Sequence, residues 1–173
     1  MAQKELSLLL KVVVAVVAVF LLLVCALFVP LLGHEVTWFF DSETTGIAAE
    51  VTRLLGSRAV GIGTEVFIWL TAIPGFIALF LAWRIFAEIG RNNSFCTENA
   101  KRLRLISRLA LVDTVLYMAR AVALFTFGLM HPSVLLVLAA VILFGTAMTV
   151  AGAALSHLTQ KAADMKADND LTI

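Results

Sequence analysis

The chain has few charged residues, few prolines and few cysteines for its length. Of its 173 residues, 14% are charged, three are proline and two are cysteine, whereas 61% are hydrophobic. Soluble domains carry about 25% charged and about 45–50% apolar residues, and a chain of this size cannot bury such an apolar surplus away from water. The composition therefore excludes soluble globular, disordered, collagen-like and nucleic-acid-binding proteins, and it indicates a membrane protein.

Catalytic and metal-binding motifs are also missing. The sequence has no HExxH pair, no Walker loop and no Gly-x-Ser-x-Gly turn. Cys25 falls in a predicted span and Cys96 in a predicted loop, so the two sulfurs lie at different depths and cannot form a disulfide. We therefore expect no catalysis, no cofactor and no metal centre. The formal net charge of +1 predicts no partner by itself.

Four apolar runs are long enough to cross a bilayer as helices. A hydrocarbon core about 30 Å thick is crossed by about 20 apolar residues, and backbone groups inside it must hydrogen-bond internally. The predicted spans cover residues 12–32, 64–86, 105–129 and 133–156. Pro30 is expected to break the first run near its end. The sequence therefore predicts an all-α fold, a polytopic transmembrane four-helix bundle that forms one domain over residues 1–173.

Lysine and arginine residues are concentrated on one side of the predicted bundle. Ten of them fall near the chain termini or around the loop at residues 87–104, and two, Arg53 and Arg58, fall in the loop at residues 33–63. Cytoplasmic loops are enriched in Lys and Arg. We therefore predict that both termini, the loop at 87–104 and the tail at 157–173 are cytoplasmic, and that the loop at 33–63 is external.

The external loop is predicted to contain a short amphipathic helix. Its apolar residues Ile47, Val51, Leu54 and Leu55 are spaced as on one helical face. Such a helix either lies on the outer leaflet or caps the bundle. A packed lid without a binding role and a ligand-binding role both remain open for it.

The third and fourth helices are predicted to extend beyond their apolar runs into the cytoplasm. Thr97 is a favourable N-cap for the third helix, and the fourth is expected to end near Lys166. The first turns of the third helix carry a basic collar formed by Lys101, Arg102, Arg104 and Arg108. This collar suits anionic lipid headgroups. Basic residues beside a span are typical of membrane topology, so we expect no direct binding of nucleic acid.

The third span contains ionisable residues, which are candidates for function because charge inside a membrane is costly. Asp113, Tyr117 and Arg120 lie at positions i, i+4 and i+7, so they share one helical face, and this face must point toward the other helices. Their candidate partners are Arg84, the carbonyl of Leu70 that Pro74 frees, and His131. Two interpretations remain open, a polar network that locks the bundle and a ligand cavity centred on Arg120.

Small residues in the fourth span predict a surface for close helix packing. Gly145, Thr149 and Ala153 follow one another at intervals of four residues. Small residues at this spacing let two helix backbones approach closely in a membrane. The partner is either another helix of the bundle or a second copy of the chain in a homodimer.

Two segments resemble motifs of a known family. Residues 93–104, Asn-Ser-Phe-Cys-Thr-Glu-Asn-Ala-Lys-Arg-Leu-Arg, are similar to a P-F-T-x-E-N-x-x-R-L-R signature, and residues 168–173, Asp-Asn-Asp-Leu-Thr-Ile, are similar to an E-N-D-L-T-I terminus. Both belong to the YoaS-like proteins, small bacterial four-span membrane proteins that form a domain family of unknown function. Ser94 stands where the family often has Pro, and Asp168 where Glu is usual.

The resemblance implies a location and a partner. Proteins of this family lie in the bacterial cell membrane and are often encoded beside a small helix-turn-helix regulator, which suggests a cytoplasmic transcription regulator as partner. The matching positions form a candidate docking motif, which comprises Phe95, Thr97, Glu98, Asn99, Arg102, Leu103, Arg104, Asn169, Asp170, Leu171, Thr172 and Ile173.

Three functions follow as hypotheses. The first is a sensor or regulatory partner of a cytoplasmic helix-turn-helix transcription factor. The second is a small transporter or an immunity-type membrane protein that uses the stripe of Asp113, Tyr117 and Arg120. The third is a structural accessory subunit of a membrane complex, which would use the small-residue surface of the fourth span.

Overall fold

Long apolar stretches fold into long helices because a backbone without water must pair its own polar groups. The computed structural model describes residues 3–42, 46–127, 130 and 132–170. Within these ranges there is no strand, and the helices are α1 (Gln3–Ser42), α2 (Ile47–Leu55), α3 (Ser57–Ile89), α4 (Thr97–Thr126) and α5 (Pro132–Asp170). The helices α1, α3, α4 and α5 are long and apolar enough to cross a membrane. The predicted all-α architecture with four spans is therefore confirmed.

The prolines inside the helices do not end them. Pro30 lies within α1, which continues to Ser42, and Pro74 lies within α3. The expected break at Pro30 is therefore wrong. A proline removes one backbone hydrogen bond, whereas a chain that leaves the helix inside hydrocarbon exposes several unpaired backbone groups. Continuing the helix is the less costly solution.

Two glycines lie at the ends of α2. Gly46 precedes the helix with φ of +66°, and Gly56 follows it with φ of +82°, values that glycine adopts without steric cost. The amide of Gly56 donates to the carbonyl oxygen of Thr52 at 2.8 Å. The short helix predicted in this loop is present, and its apolar residues Leu54 and Leu55 are 71% and 65% exposed.

The ends of α4 and α5 differ slightly from the sequence prediction. Helix α4 begins at Thr97 itself, one residue before the start that a capping role for Thr97 implies. The amides of Asn99 and Ala100 both donate to the carbonyl oxygen of Cys96, at 3.1 and 3.2 Å, so Cys96 occupies the flanking position. Helix α5 continues past Lys166 to Asp170.

The chain divides into two compact units. Unit 1 comprises Met1–Ala18, Pro74–Thr114 and Leu143–Ile173, and unit 2 comprises Val19–Ile73 and Val115–Ile142. Each unit has its own internal packing.

In unit 1, the start of α1 packs against the end of α3. The hydroxyl of Ser7 donates to the carbonyl oxygen of Phe86 at 2.6 Å, and a Cβ atom added to Gly90 would lie 2.6 Å from the Ser7 hydroxyl. The ammonium of Lys11 lies 5.9 Å from the ring centroid of Trp83, within the range of a cation–π contact. Ser7 is buried, and its hydrogen bond to Phe86 satisfies the hydroxyl away from water.

In unit 2, α1 and α3 approach closely at two glycines. The side chain of Glu65 occupies the space that a Cβ atom on Gly33 would need, and a Cβ atom on Gly61 would lie 2.7 Å from the carbonyl oxygen of Gly33. Thr37 fills the remaining space beside Gly61 and donates to the Gly33 carbonyl at 2.8 Å. This contact brings α1 close to the face of α3 that carries the polar side chains described next.

Candidate functional site

A polar cluster in unit 2 joins α3 to α4. Thr64, Phe67 and Thr71 lie at positions i, i+3 and i+7 of α3, so they share one face of that helix. Tyr117 and Arg120 lie one turn apart on α4. The hydroxyl oxygens of Tyr117 and Thr71 are 3.0 Å apart, and Nη2 of Arg120 donates to the hydroxyl oxygen of Thr64 at 3.0 Å.

Each threonine of this cluster donates its hydroxyl hydrogen bond to a backbone carbonyl of its own helix, α3. The hydroxyl of Thr64 donates to the carbonyl of Val60 at 3.1 Å, and that of Thr71 lies 3.1 Å from the carbonyls of Phe67 and Ile68. A hydroxyl has a single proton to donate. Because this proton is used within α3, both threonines act as acceptors toward α4, and Tyr117 is the donor in its bond to Thr71.

The aromatic ring of Phe67 completes the cluster. The Cζ atom of Arg120 lies 4.6 Å from the Phe67 ring centroid, which is a close cation–π contact. The ring of Tyr117 meets Phe67 edge-on, with centroids 5.5 Å apart. The guanidinium therefore contacts one aromatic ring and one neutral oxygen.

The charge of Arg120 is not balanced by the described part of the chain. Ion pairs among these residues join Arg53 to Glu50, Arg91 to Glu88 and Lys101 to Glu98, and the two residues of each pair are three positions apart. No carboxylate of the described ranges lies within ion-pair distance of the Arg120 guanidinium. Within the described residues, one of its five N–H donors has a hydrogen-bond acceptor, the hydroxyl oxygen of Thr64.

Arg120 lies in the wall of a cavity within unit 2. The cavity has a volume of about 800 Å³ and is lined by residues from all five helices. Its lining is mostly aliphatic and aromatic, and Arg120 and Glu35 are the charged side chains among the lining residues. Ligand sites typically have volumes of about 300–1,000 Å³ and an apolar lining with a few polar groups. The unit 2 cavity has both features.

Asp113 belongs to unit 1, whereas Tyr117 and Arg120 belong to unit 2. One carboxylate oxygen of Asp113, Oδ1, is buried and has no hydrogen-bond partner within the described ranges. Arg84, its candidate partner in unit 1, is exposed, and no ion pair joins the two among the residues that the structure describes.

The other candidate partners are placed as follows. The side chain of Arg120 bonds to Thr64 and not to the carbonyl of Leu70. His131 lies outside the described residues.

The small residues of α5 pack against α4 within unit 1. The hydroxyl of Thr114 occupies the space that a Cβ atom on Gly145 would need, and a Cβ atom on Gly152 would lie 3.1 Å from the Cβ atom of Ser107. The hydroxyl of Ser107 donates to the carbonyl of Thr149 at 2.7 Å. Two helix backbones therefore approach closely here, as the small residues Gly145 and Thr149 predict.

The third residue of the predicted surface differs. Ala153 is exposed, and its neighbour Gly152 is buried. Residues spaced four apart drift by about 40° per step in a helix of 3.6 residues per turn, so the position eight residues after Gly145 leaves the contact face. The contact continues instead through Ser156, whose buried hydroxyl donates to the carbonyl of Ala100 at 2.8 Å.

The segment 93–104 has an internal scaffold built on Asn99. Asn99 is 1% exposed. Its amide nitrogen donates to the carbonyl of Ser94 at 3.1 Å, and its amide oxygen accepts from Nη1 of Arg102 at 2.8 Å. These bonds tie the loop before α4 to the first turns of the helix. Asn99 and Arg102 therefore have a structural role within the signature.

Other members of the docking motif point outward. Phe95 is 59% exposed, and Thr97, Glu98 and Arg104 are also exposed, whereas Leu103 is half-buried. Asn169 is exposed near the end of α5. Nothing is described for the side chain of Asp170, and Leu171, Thr172 and Ile173 lie outside the described residues.

Sequence reasoning did not identify the α3 side of the polar cluster. Thr64 and Thr71 are seven residues apart with Phe67 between them, and this spacing places them on one face. The same spacing is common among apolar residues that face lipid, so it carries no signal without the position of Arg120.

The comparisons with known proteins agree with this architecture. The family model described as "Protein of unknown function (DUF2975)" matches residues 44–173. The "Uncharacterized membrane protein YoaS" of Bacillus subtilis (strain 168) is 26% identical over 110 residues, which cover 62% of this chain and 69% of that protein. No solved structure matches the chain significantly. Since the family model covers more than half of the chain and includes both motifs, the chain belongs to this family of membrane proteins of unknown function, DUF2975.

Proposed function

We propose that this protein is a regulatory membrane protein that binds a cytoplasmic partner through the exposed side chains of its docking motif and receives its signal in the unit 2 cavity. The observation that carries this proposal is that the segment 93–104 has a buried part, which organises its fold, and an exposed part, which is accessible to a partner. The bonds of Asn99 account for the fold of the segment, and they leave the aromatic ring of Phe95 largely exposed.

An exposed aromatic residue beside basic side chains suits a protein partner. Aromatic residues and arginine are enriched at protein interfaces and in their energetic hot spots. Phe95 and Arg104 are both exposed, and neither is needed for the hydrogen bonds that organise the loop. The resemblance to YoaS-like proteins suggests a helix-turn-helix transcription regulator as this partner.

The proposed location is the cell membrane of a bacterium, with both termini in the cytoplasm. Ten of the 13 Lys and Arg residues lie on the side that carries the termini and the docking motif, and this asymmetry sets orientation in membrane proteins. In this orientation the basic collar also contacts anionic headgroups. The docking motif would then lie at the inner membrane surface.

Site-specific photocrosslinking in intact cells tests the proposal. A photoreactive amino acid at position 95 or 104 is expected to crosslink a soluble DNA-binding protein. Lys161, an exposed basic residue of α5 outside the motif, serves as the control position and is expected to give no such product. Crosslinks from position 95 to lipid alone would contradict the proposed partner.

A small transporter is the second candidate function, and the unit 2 cavity with its cationic group favours it. Transport requires net movement of a solute, which a regulator does not produce. Uptake of a radiolabelled organic anion into proteoliposomes that depends on Arg120 would favour the transporter. The surface suggested for an accessory subunit is already covered by α4 at Gly145 and Thr149, so no observation favours that third function.

A further inference from the structure

The geometry points to a ligand class for the unit 2 cavity: a single-chain amphiphile with one carboxylate head, such as a long-chain fatty acid. Its carboxylate would pair with the guanidinium of Arg120, and its chain would lie along the apolar lining. This inference deepens the proposed function, on which it rests for the effect of the ligand on a partner. The binding itself is measurable without any partner.

The charge of Arg120 favours an anionic ligand. The Arg120 guanidinium belongs to a membrane-spanning helix and is partly buried. Thr64 and Phe67 stabilise it through a neutral oxygen and a ring face, but neither carries a formal negative charge. Among the residues that the structure describes, no carboxylate completes the pair. A charge held away from water requires a counterion, and the cavity wall is where a bound anion would supply it.

The contacts of Arg120 favour a carboxylate head. One Nη2–H of Arg120 donates to Thr64, and Cζ lies 4.6 Å from the centroid of the Phe67 ring. Tyr117 packs edge-on against Phe67 and bonds to Thr71, which holds that ring in place. The other N–H donors of Arg120 have no acceptor among the described residues, and a planar guanidinium matches the two oxygens of a carboxylate. The head site is therefore organised before the ligand arrives.

The lining of the cavity favours a ligand with an apolar body. Leu32, Val36, Val60, Leu124 and Val134 contribute apolar surface from four different helices. An acyl chain buries favourably against such a lining, whereas a small polar anion would leave the apolar surface of the cavity uncovered. The ligand must therefore combine an anionic head with an apolar body.

Glu35 indicates that the head carries a single negative charge. It is the acidic residue among those that line the cavity, and it is exposed. Like charges in one site oppose each other. A carboxylate monoanion is therefore favoured over a phosphate dianion, and Glu35 acts as a specificity residue.

Fluorescence of Trp38, which lines the cavity, provides a direct binding assay. The other two tryptophans, Trp69 and Trp83, are replaced by Phe so that the signal comes from Trp38 alone. The full chain is placed in nanodiscs of uncharged phosphatidylcholine and titrated with a dibrominated stearate. We expect saturable quenching, about tenfold weaker binding in Arg120→Gln, and unchanged binding in the control Arg58→Gln, an exposed residue of the same unit.

Further arms separate the alternatives. Brominated phosphatidylglycerol tests whether the anion comes from a membrane lipid, and quenching equal to that of the fatty acid would overturn the assignment. Dodecyl phosphate is expected to compete less well than laurate, and Glu35→Gln is expected to remove this preference. Circular dichroism confirms that each variant is folded.

The inference and the proposed function fail in different ways. Equal quenching in Arg120→Gln and the wild-type chain, or no saturable quenching in either, overturns the ligand assignment. Partner crosslinking at position 95 is measured separately and survives that result if the regulatory function holds. Loss of crosslinking with intact quenching would overturn the partner and leave the ligand site.

Discussion

At the scale of single residues, the threonine hydroxyl allows an apolar helix to bind a charged group of a neighbouring helix. Thr64 and Thr71 donate within α3 and accept from α4, so Tyr117 and Arg120 each find a partner without a second charge in the membrane. Polar side chains between membrane helices contribute about 0.6 kcal/mol each on average and at most about 1.7 kcal/mol. Their value here lies in orienting the guanidinium.

Replacing Thr64 by Val tests this role. The variant keeps the shape of the side chain and removes the acceptor of Arg120, so we expect a loss of about 1 kcal/mol in the free energy of unfolding, measured by titration with denaturing detergent. Thr126→Val is the control because Thr126 is exposed and bonds within its own helix to Val122. Equal losses in the two variants would show that the bond to Arg120 contributes nothing.

Replacing Asn99 by Ala tests the scaffold of the signature segment. Asn99 is buried and bonds to both Ser94 and Arg102, and a buried partner left unpaired costs about 1–3 kcal/mol. We expect a stability loss in this range by the same titration, and faster proteolysis of the loop before α4. Glu98→Ala, at the exposed neighbouring position, is expected to change stability by less than about 0.5 kcal/mol. A loop that stays protected in Asn99→Ala would contradict the scaffold role.

At the scale of elements, α4 and α5 show how helical geometry refines a sequence pattern. The spacing of small residues predicts a close-packing surface that starts at Gly145 and Thr149, and both residues lie against α4 in the structure. The same spacing predicts Ala153 as the next contact residue. The repeat of 3.6 residues per turn places Gly152 there instead. Patterns with a period of four are accurate over one turn and lose the contact face over two.

Two neighbouring substitutions in α5 test this offset. In Gly152→Leu the new side chain meets Ser107, because even a Cβ atom would lie 3.1 Å from it, and overpacking costs about 1–3 kcal/mol. In Ala153→Leu the new side chain points to the exposed side, and the expected change in unfolding free energy is within about 0.5 kcal/mol. If Ala153→Leu is the more damaging of the two, the contact face has been assigned wrongly.

At the scale of the whole molecule, the number and length of the helices follow from the length of the apolar runs. The contacts around Arg120 do not follow from the apolar pattern. Helix α3 is apolar on nearly all sides, so its pattern gives no preferred face. Which residues meet Arg120 depends on the rotation of α3 about its axis, and packing with α1 at Gly33 and Gly61 contributes to that rotation. The scaffold role of Asn99 was hidden for a similar reason, because a buried asparagine in a polar segment resembles an exposed one in sequence.

The orientation of the chain is also a property of the whole molecule, and reporter fusions measure it. The asymmetry of Lys and Arg predicts that a fluorescent protein fused after residue 170 folds in the cytoplasm and is bright. It also predicts that alkaline phosphatase fused after Gly56 is exported and active. The inverse result at both sites would place the docking motif outside the cell and exclude a cytoplasmic partner.

We propose that an anion bound at Arg120 controls what the docking motif binds. Helix α4 contains both Arg120 and most of the segment 93–104, so the test is to measure crosslinking yield from position 95 with and without a saturating long-chain carboxylate. We expect a change of about threefold or more in the wild-type chain, which corresponds to a modest coupling free energy between two sites, and no change in Arg120→Gln. Equal yields with and without the carboxylate in the wild-type chain would contradict the claim.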